Sequence, residues 1–200
     1  MMVVIAKPMP DTPKLDTRTR MIVSATELFR ENGYSGTGFR EVVEHSGAPR
    51  GSIYHHFPGG KAQLAEEAVQ LASEIVARRI ERAAQSGDPQ AMLDAFADGW
   101  RRQLERSDFR AGCPVVAVAV EADTAPGVAA AATAAFERWE ALFATTLRRS
   151  GIPRARAARI GTLAVAAIEG AVIQARAARS TAPLDAVMRE IAALVDDARS

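Results

Sequence analysis

The chain of 200 residues has one cysteine, Cys113, so it forms no disulfide within itself and suits a reducing compartment. Lysine is scarce, and the net charge is only +1, which argues against a polycation that coats nucleic acid through charge alone. No apolar run approaches the roughly 18 uncharged residues of a membrane span, and the opening MMVVIA is too short for a signal-peptide core. We therefore expect a soluble, cytoplasmic protein with no membrane partner.

The signatures of common enzymes are also missing. No histidine follows His56, and the sequence has neither G-x-S-x-G nor a phosphate-cradling glycine loop. His55 and His56 are adjacent, and neighbouring side chains on a helix point about 100° apart, so the pair does not readily share a metal. We expect neither catalysis nor a metal or cofactor, although an enzyme in the helical body is the rival interpretation.

Helical periodicity is what the chain has in abundance. Apolar residues recur at intervals of three and four, and Gly, Pro and Asn interrupt them at regular points. The Val-rich segment 114–121 taken alone resembles a buried strand, but no other segment is suited to pair with it. The pattern predicts an all-α fold of about nine helices, with the ranges 17–32, 37–46, 49–57, 61–85, 89–106, 114–121, 126–150, 154–179 and 183–198.

Three regions follow from this pattern. Residues 1–16 hold three prolines without periodicity and are predicted to be a flexible N-terminal arm. Residues 17–62 form a three-helix unit, and residues 63–200 form a larger helical bundle. Positive charge is slightly enriched at the front, where residues 1–61 carry eight Lys/Arg and six Asp/Glu.

The segment Thr37–Lys61, TGFREVVEHSGAPRGSIYHHFPGGK, is the most informative part of the sequence. An apolar-faced helix, a Gly-containing turn and a short helix with a polar outer face follow one another, which is typical of a helix-turn-helix that reads the DNA major groove. Ile53 and Phe57 are four residues apart and point inward. Thr37 and Lys61 begin the flanking helices, whose N-termini are suited to phosphate. A plain helical hairpin within a core is the alternative.

The outer face of that short helix has the chemistry of a DNA contact. The Arg50 guanidinium can pair with guanine O6 and N7 together, although a solvated surface arginine is the alternative. Gly51 and Ser52 permit close approach, and Tyr54 and His55 are suited to donate to phosphates. The candidate DNA-contacting residues are Thr37, Arg40, Pro49, Arg50, Gly51, Ser52, Tyr54, His55 and Lys61.

Residues 17–64 resemble the TetR/AcrR family of bacterial transcriptional regulators. The residues that carry the resemblance are Ala25, Leu28, Phe29, Gly33, Tyr34, Thr37, Gly47, Gly51–Phe57 and Lys61. Phe57–Lys61 and Gly112–Pro114 resemble the LmrA/YxaF-type branch. The resemblance implies an N-terminal helix-turn-helix domain, a helical ligand-binding domain and a homodimer formed through helices 154–179 and 183–198. It also implies a palindromic operator in double-stranded DNA and release, most simply of a repressor, by a small-molecule effector.

Aromatic and Met residues of the bundle either line an apolar effector cavity or form ordinary core. Glu121 and Gln174 are candidate polar anchors in such a cavity, although Glu121 suits a surface or capping role as well. Cys113 is either a small buried hydrophobe or a redox-sensing thiol. An apolar cavity suits an apolar, aromatic or cationic ligand. The candidate pocket residues are Met92, Phe96, Trp100, Cys113, Ala117, Glu121, Phe136, Trp139, Phe143, Ile168 and Gln174.

Overall fold

The computed structural model describes residues 15–121 and 126–199. The predicted arm, residues 1–16, therefore lies outside the described residues except for its last two. Within the described ranges the chain is all-helical, as predicted, and forms nine α-helices. Their bounds are α1 Thr17–Asn32, α2 Phe39–Ser46, α3 Ser52–His56, α4 Gly60–Ala84, α5 Pro89–Arg106, α6 Pro114–Ala119, α7 Pro126–Arg149, α8 Arg154–Ala178 and α9 Ala182–Arg199.

Helices α1 to α3 close around a small apolar centre at the N-terminal end. Met21 and Phe29 of α1 meet Val42 of α2, Ile53 of α3 and Phe57 just beyond it, all of them buried. The spacing of Ile53 and Phe57 places both on one side of α3, so the opposite side of this helix stays in solvent. The orientation of α3 is thus fixed by its apolar face, as the sequence predicts.

Helix α4 joins this unit to the bundle. It packs against α1 on one side and against α5 and α7 on the other, and α8 and α9 complete the bundle beyond α7. The buried residues of both parts form one continuous apolar cluster. Helix α4 therefore contacts both α1 and α7 within one apolar core.

The Val-rich segment forms α6, a helix of six residues, rather than a strand. Pro114 opens it at the first turn, where a proline N–H would have no partner in any case. Val115 and Val118 are fully buried, and the helix contacts α1, α4 and α7. Helix α6 therefore lies between the N-terminal unit and the bundle.

Helix α8 has the length and apolar composition of a membrane span, which the sequence analysis did not anticipate. Half of its most apolar stretch is buried inside the protein, where α8 packs against α7 and α9. Core helices of globular proteins share these properties, so the helix is weak evidence for a membrane. Its place between two neighbours accounts for its composition.

Candidate DNA interface and effector cavity

Helices α2 and α3 present an exposed cleft of about 480 Å³. Arg40 lines it from α2, and Arg50 and Tyr54 line it from the turn and α3; all three are exposed. The Tyr54 ring is 69% exposed, and its inner edge is supported by Phe39, with ring centroids 5.5 Å apart at a steep angle. Cationic and hydroxyl donors are thus held outward on short, packed helices, as contacts to base edges and phosphates require.

Helix α3 begins later than predicted. Its first residue is Ser52, and Gly51 before it has φ +84°, a left-handed conformation that side chains disfavour. Pro49 therefore lies in the turn instead of the first helical turn, and its carbonyl accepts from the Ser52 N–H at 3.2 Å and from the Ser52 hydroxyl at 2.7 Å. The Ser52 hydroxyl donates its proton to a carbonyl within the turn. The exposed hydrogen-bond donors nearby are therefore those of Arg50, Tyr54 and His55.

Thr37 is not available to DNA through its side chain, so this prediction is wrong. It is 1% exposed, and its hydroxyl donates to the Gly33 carbonyl at 2.9 Å. The residue that caps α2 is Gly38, whose N–H donates to the Glu41 carboxylate. Thr37 therefore holds the α1–α2 turn together, and the exposed start of α2 lies one residue further on.

Lys61 is occupied by neighbours rather than presented freely. Its Nζ lies 4.3 Å from the centroid of the Tyr34 ring, a cation–π distance. Burial lowers the pKa of the Lys61 ammonium, and the nearby Glu121 and Glu41 carboxylates partly oppose that change. A phosphate contact from Lys61 accordingly requires the side chain to leave Tyr34.

Neither predicted polar anchor, Glu121 or Gln174, lines the two cavities described below, which lie beside Trp139 and beside Cys113. The Glu121 carboxylate accepts from the Ser35 N–H at 2.7 Å, in the α1–α2 turn. The Ser35 side chain is the main cause that lowers the pKa of Glu121, and the bond from the Ser35 N–H adds to it. Gln174 is on the exposed side of α8. Glu121 instead connects the end of α6 to helices α1 to α3, which we call the DNA-binding unit.

The aromatic stripe is packed core in this structure. Trp139 and Phe143 are fully buried, and Phe96 packs edge-on against both Trp100 and Phe143. The cavity beside Trp100 and Trp139 measures about 30 Å³, roughly the share of one water. Met92 and Ile168 are also fully buried, and Phe136 is half-buried. The packing of these residues favours the core interpretation, and their role as lining of an effector cavity stays a prediction.

A larger cavity, of about 210 Å³, lies between α6 and α8. Two predicted pocket residues line it, Cys113 and Ala117, and so does Glu169, which the sequence analysis missed. Burial raises the pKa of the Cys113 thiol well above its usual value, which disfavours the thiolate that redox sensing needs. Glu169 had a signal in the sequence: it is the only acidic residue between Arg154 and Ala178.

The Glu169 carboxyl is an unusual group to find in this cavity. The residue is 6% exposed, and neither carboxyl oxygen has a hydrogen-bond partner among residues 15–121 and 126–199. Burial raises its pKa to about 8, so the carboxyl is mostly protonated at neutral pH. The Cys113 thiol faces the carboxyl and weakens this rise, without reaching hydrogen-bond geometry. Buried polar groups are normally paired, so the carboxyl needs an explanation.

Both ends of α6 are tied to the DNA-binding unit. Before the helix, the Gly112 N–H donates to the Arg30 carbonyl of α1 at 2.9 Å. After it, Glu121 holds Ser35. A Cβ on Gly112 would lie 2.9 Å from the Arg176 guanidinium, which donates to the Arg110 carbonyl at 2.6 Å, so a larger residue at position 112 would displace that side chain. The Gly-Cys-Pro motif thus brings the cavity wall against α1.

An exposed two-helix reader joined to a helical bundle defines a helix-turn-helix DNA-binding protein. Two family models match the chain: "Bacterial regulatory proteins, tetR family" over residues 21–68, and "Transcriptional regulator LmrA/YxaF-like, C-terminal domain" over residues 89–190. The chain belongs to the TetR family of transcriptional regulators, in its LmrA/YxaF-like branch. The resemblance seen in the sequence is confirmed.

Individual relatives agree with this assignment. The uncharacterized HTH-type transcriptional regulator Rv0196 of Mycobacterium tuberculosis is 47% identical over 87% of this chain and 91% of its own length. The HTH-type transcriptional regulator LmrA of Bacillus subtilis is 34% identical over 84% of this chain and 91% of its own. A crystal structure of regulatory protein TetR from Rhodobacter sphaeroides is 26% identical, with a TM-score of 0.79, covering 88% of this chain and 96% of that one.

Proposed function

We propose that this regulator is a homodimeric repressor that binds a palindromic operator and leaves it when a small, apolar or aromatic molecule binds the bundle. The observation that carries the proposal is the exposed cleft where Arg50 of the turn and Tyr54 of α3 lie beside Arg40 of α2. A protein that binds an operator acts in the cytoplasm, and a single buried cysteine without a disulfide agrees with that reducing compartment. The repressor AcnR of Corynebacterium efficiens, 33% identical over 84 residues, supports repression over activation.

The dimer surface that we propose is a groove between α8 and α9. It measures about 510 Å³ and is lined mostly by apolar side chains, among them Leu163, Val187 and Leu194. Leu163 is 49% exposed, a large apolar residue left in water in the isolated chain. Arg189 and Glu190 lie beside the apolar residues, so a two-fold axis can place opposite charges across the interface. One reading unit alone buries too little surface for specific affinity, which is a separate reason for pairing.

Operator binding is tested by titrating labelled DNA from upstream of the protein's own gene, with salt-matched random DNA as the control. We expect a protected site with two half-sites about one helical turn apart, or a multiple of that spacing. Its affinity should exceed that for random DNA by at least about a thousandfold. Equal affinity for both DNAs at every salt concentration would contradict a sequence-specific regulator.

The dimer is tested with Leu163→Arg, which places a charge in the α8–α9 groove. We expect the wild-type protein to sediment as a dimer and the variant as a monomer that loses operator binding. Ile75→Arg is the matched control, because Ile75 is similarly exposed, at 41%, but lies on α4 outside the groove. A dimeric Leu163→Arg protein would place the interface elsewhere.

A further inference from the structure

The α6–α8 cavity contains a buried acid without a partner and an apolar entrance. Glu169 lines it with both carboxyl oxygens unpaired. Val120 and Ile173, which also line it, are 73% and 54% exposed, so large apolar side chains stand in water at the opening. An apolar cavity with a small number of polar groups is the usual composition of a small-molecule site.

We propose that this cavity binds a small, neutral, mostly apolar molecule whose hydroxyl group hydrogen-bonds to the Glu169 carboxyl. The proposal rests on the ligand-released repressor described above and names the site and chemistry of its effector. A volume of about 210 Å³ is below the roughly 300–1,000 Å³ of drug-sized sites, which favours a molecule of one or two rings.

A neutral hydroxyl fits the carboxyl better than a cation does. The protonated carboxyl has one O–H donor and a carbonyl acceptor, and a hydroxyl group can satisfy both. The groups that surround it add no negative charge: the Cys113 thiol faces the carboxyl, and the cationic Arg176 lines the same cavity. Arg176 also repels a second cation, and burial of an unpaired charge is costly.

Occupancy of the cavity acts on the DNA-binding unit through α6. Cys113 and Ala117 form the α6 side of the cavity, and the helix is bonded to α1 through Gly112 and to the α1–α2 turn through Glu121. A ligand that pushes α6 away from α8 therefore displaces α1 and the turn that precedes α2. To release DNA it must bind this displaced arrangement more tightly than the DNA-bound one.

The test uses the full-length protein and three probes of one shape: 2-naphthylmethanol, 2-methylnaphthalene and the 2-naphthylmethylammonium ion. Binding is measured by calorimetry at pH 7, without DNA. We expect the alcohol to bind at least about tenfold more tightly than the hydrocarbon, the value of one well-made hydrogen bond. The cation should bind more weakly than the alcohol. Tightest binding of the cation, equal binding of the alcohol and hydrocarbon, or no binding of the alcohol would overturn the proposal.

Two variants of Glu169 locate the hydrogen bond. Glu169→Gln keeps a neutral donor and acceptor, so it should retain the preference for the alcohol, whereas Glu169→Leu should abolish it. Ala117→Phe fills the cavity without changing Glu169 and should block all three probes. Unchanged alcohol binding in both Glu169→Leu and Ala117→Phe would place the site elsewhere. Thermal unfolding confirms that each variant is folded.

Operator binding is then measured with and without 2-naphthylmethanol. The alcohol should weaken operator binding of the wild type and leave Glu169→Leu unaffected. If the alcohol binds by calorimetry but the protein has no operator-specific affinity, the proposed function fails and the cavity assignment stands. If operator binding is specific but Glu169 does not affect alcohol binding, the cavity assignment alone fails.

Discussion

Most of the candidate DNA-contacting residues are exposed, whereas most of the candidate effector-binding residues are buried. In α2, α3 and the turn between them the apolar residues point inward, and Arg40, Arg50 and Tyr54 are exposed. In the bundle, the aromatic residues that suit a ligand are themselves the packing, and the open cavity lies beside the acid Glu169. The difference shows that the residues of an exposed site can be predicted from the sequence of one helix. The residues of a cavity depend on how helices distant in sequence pack together.

The largest expected effect concerns the claim that the aromatic stripe is packed core. Trp139 is fully buried, and its indole N–H donates to the Ser73 carbonyl at 3.2 Å. Trp139→Ala should lower the free energy of unfolding by about 3–5 kcal/mol, measured by urea denaturation. Phe136→Ala is the control, since Phe136 is only half-buried, and it should cost clearly less. A loss below about 1 kcal/mol for Trp139→Ala would mean that Trp139 lines a deformable pocket and is not part of a tightly packed core.

The second prediction sharpens the contrast between outward charges and the buried Glu169. Its pKa rises from an ordinary 4.5 to about 8 on folding because burial disfavours the charged form. The native state therefore holds a proton that the unfolded chain has released, so stability is full below pH 4.5 and declines up to pH 8. The slope approaches about 1.4 kcal/mol per pH unit between these values.

Glu169→Gln removes the titrating group, so folding of the variant no longer involves uptake of this proton. The free energy of unfolding of wild type minus that of the variant should fall steadily when urea denaturation is repeated from pH 5 to pH 8. Glu105→Gln, at an exposed position of α5, is the control and should run parallel to wild type. A pH-independent difference for Glu169→Gln would mean that the carboxyl is solvated or paired in solution.

The sequence predicted the helices well because their signals are local. The apolar spacing and the Gly and Pro interruptions predicted nine helices whose ends agree with the structure to within three residues. Errors came where a side chain bonds to the backbone of the α1–α2 turn, whether from nearby or from far along the chain. Thr37 bonds backward to Gly33, and Glu121 reaches Ser35, 86 residues away, which no periodicity reveals. Glu169 was overlooked because an acid on an apolar helix indicates a cavity only once α6 is placed against α8.

The third prediction challenges the outward face of the reading unit. Arg50 is exposed on the cleft of α2 and α3, so Arg50→Ala should cost about 1–3 kcal/mol of operator affinity and relax the preference for one base pair. Fluorescence anisotropy with single-base operator variants measures both quantities. Arg156→Ala removes the same charge from an exposed position of α8 and should leave the preference unchanged. Equal losses in the two variants would mean that Arg50 contributes charge and no base contact.

The smallest expected effect concerns the contact between Glu121, at the end of α6, and Ser35 of the DNA-binding unit. Glu121→Gln weakens a charge-assisted bond to the Ser35 N–H at an incompletely buried position, so stability should fall by less than about 1 kcal/mol. The same carboxylate lies near Lys61 and favours its charge. Operator affinity should therefore change more than stability does, because the bond positions the turn before α2. Glu105→Gln again serves as the control. If Glu121→Gln matches it in urea denaturation and in operator titration, α6 is not coupled to the DNA-binding unit at this end.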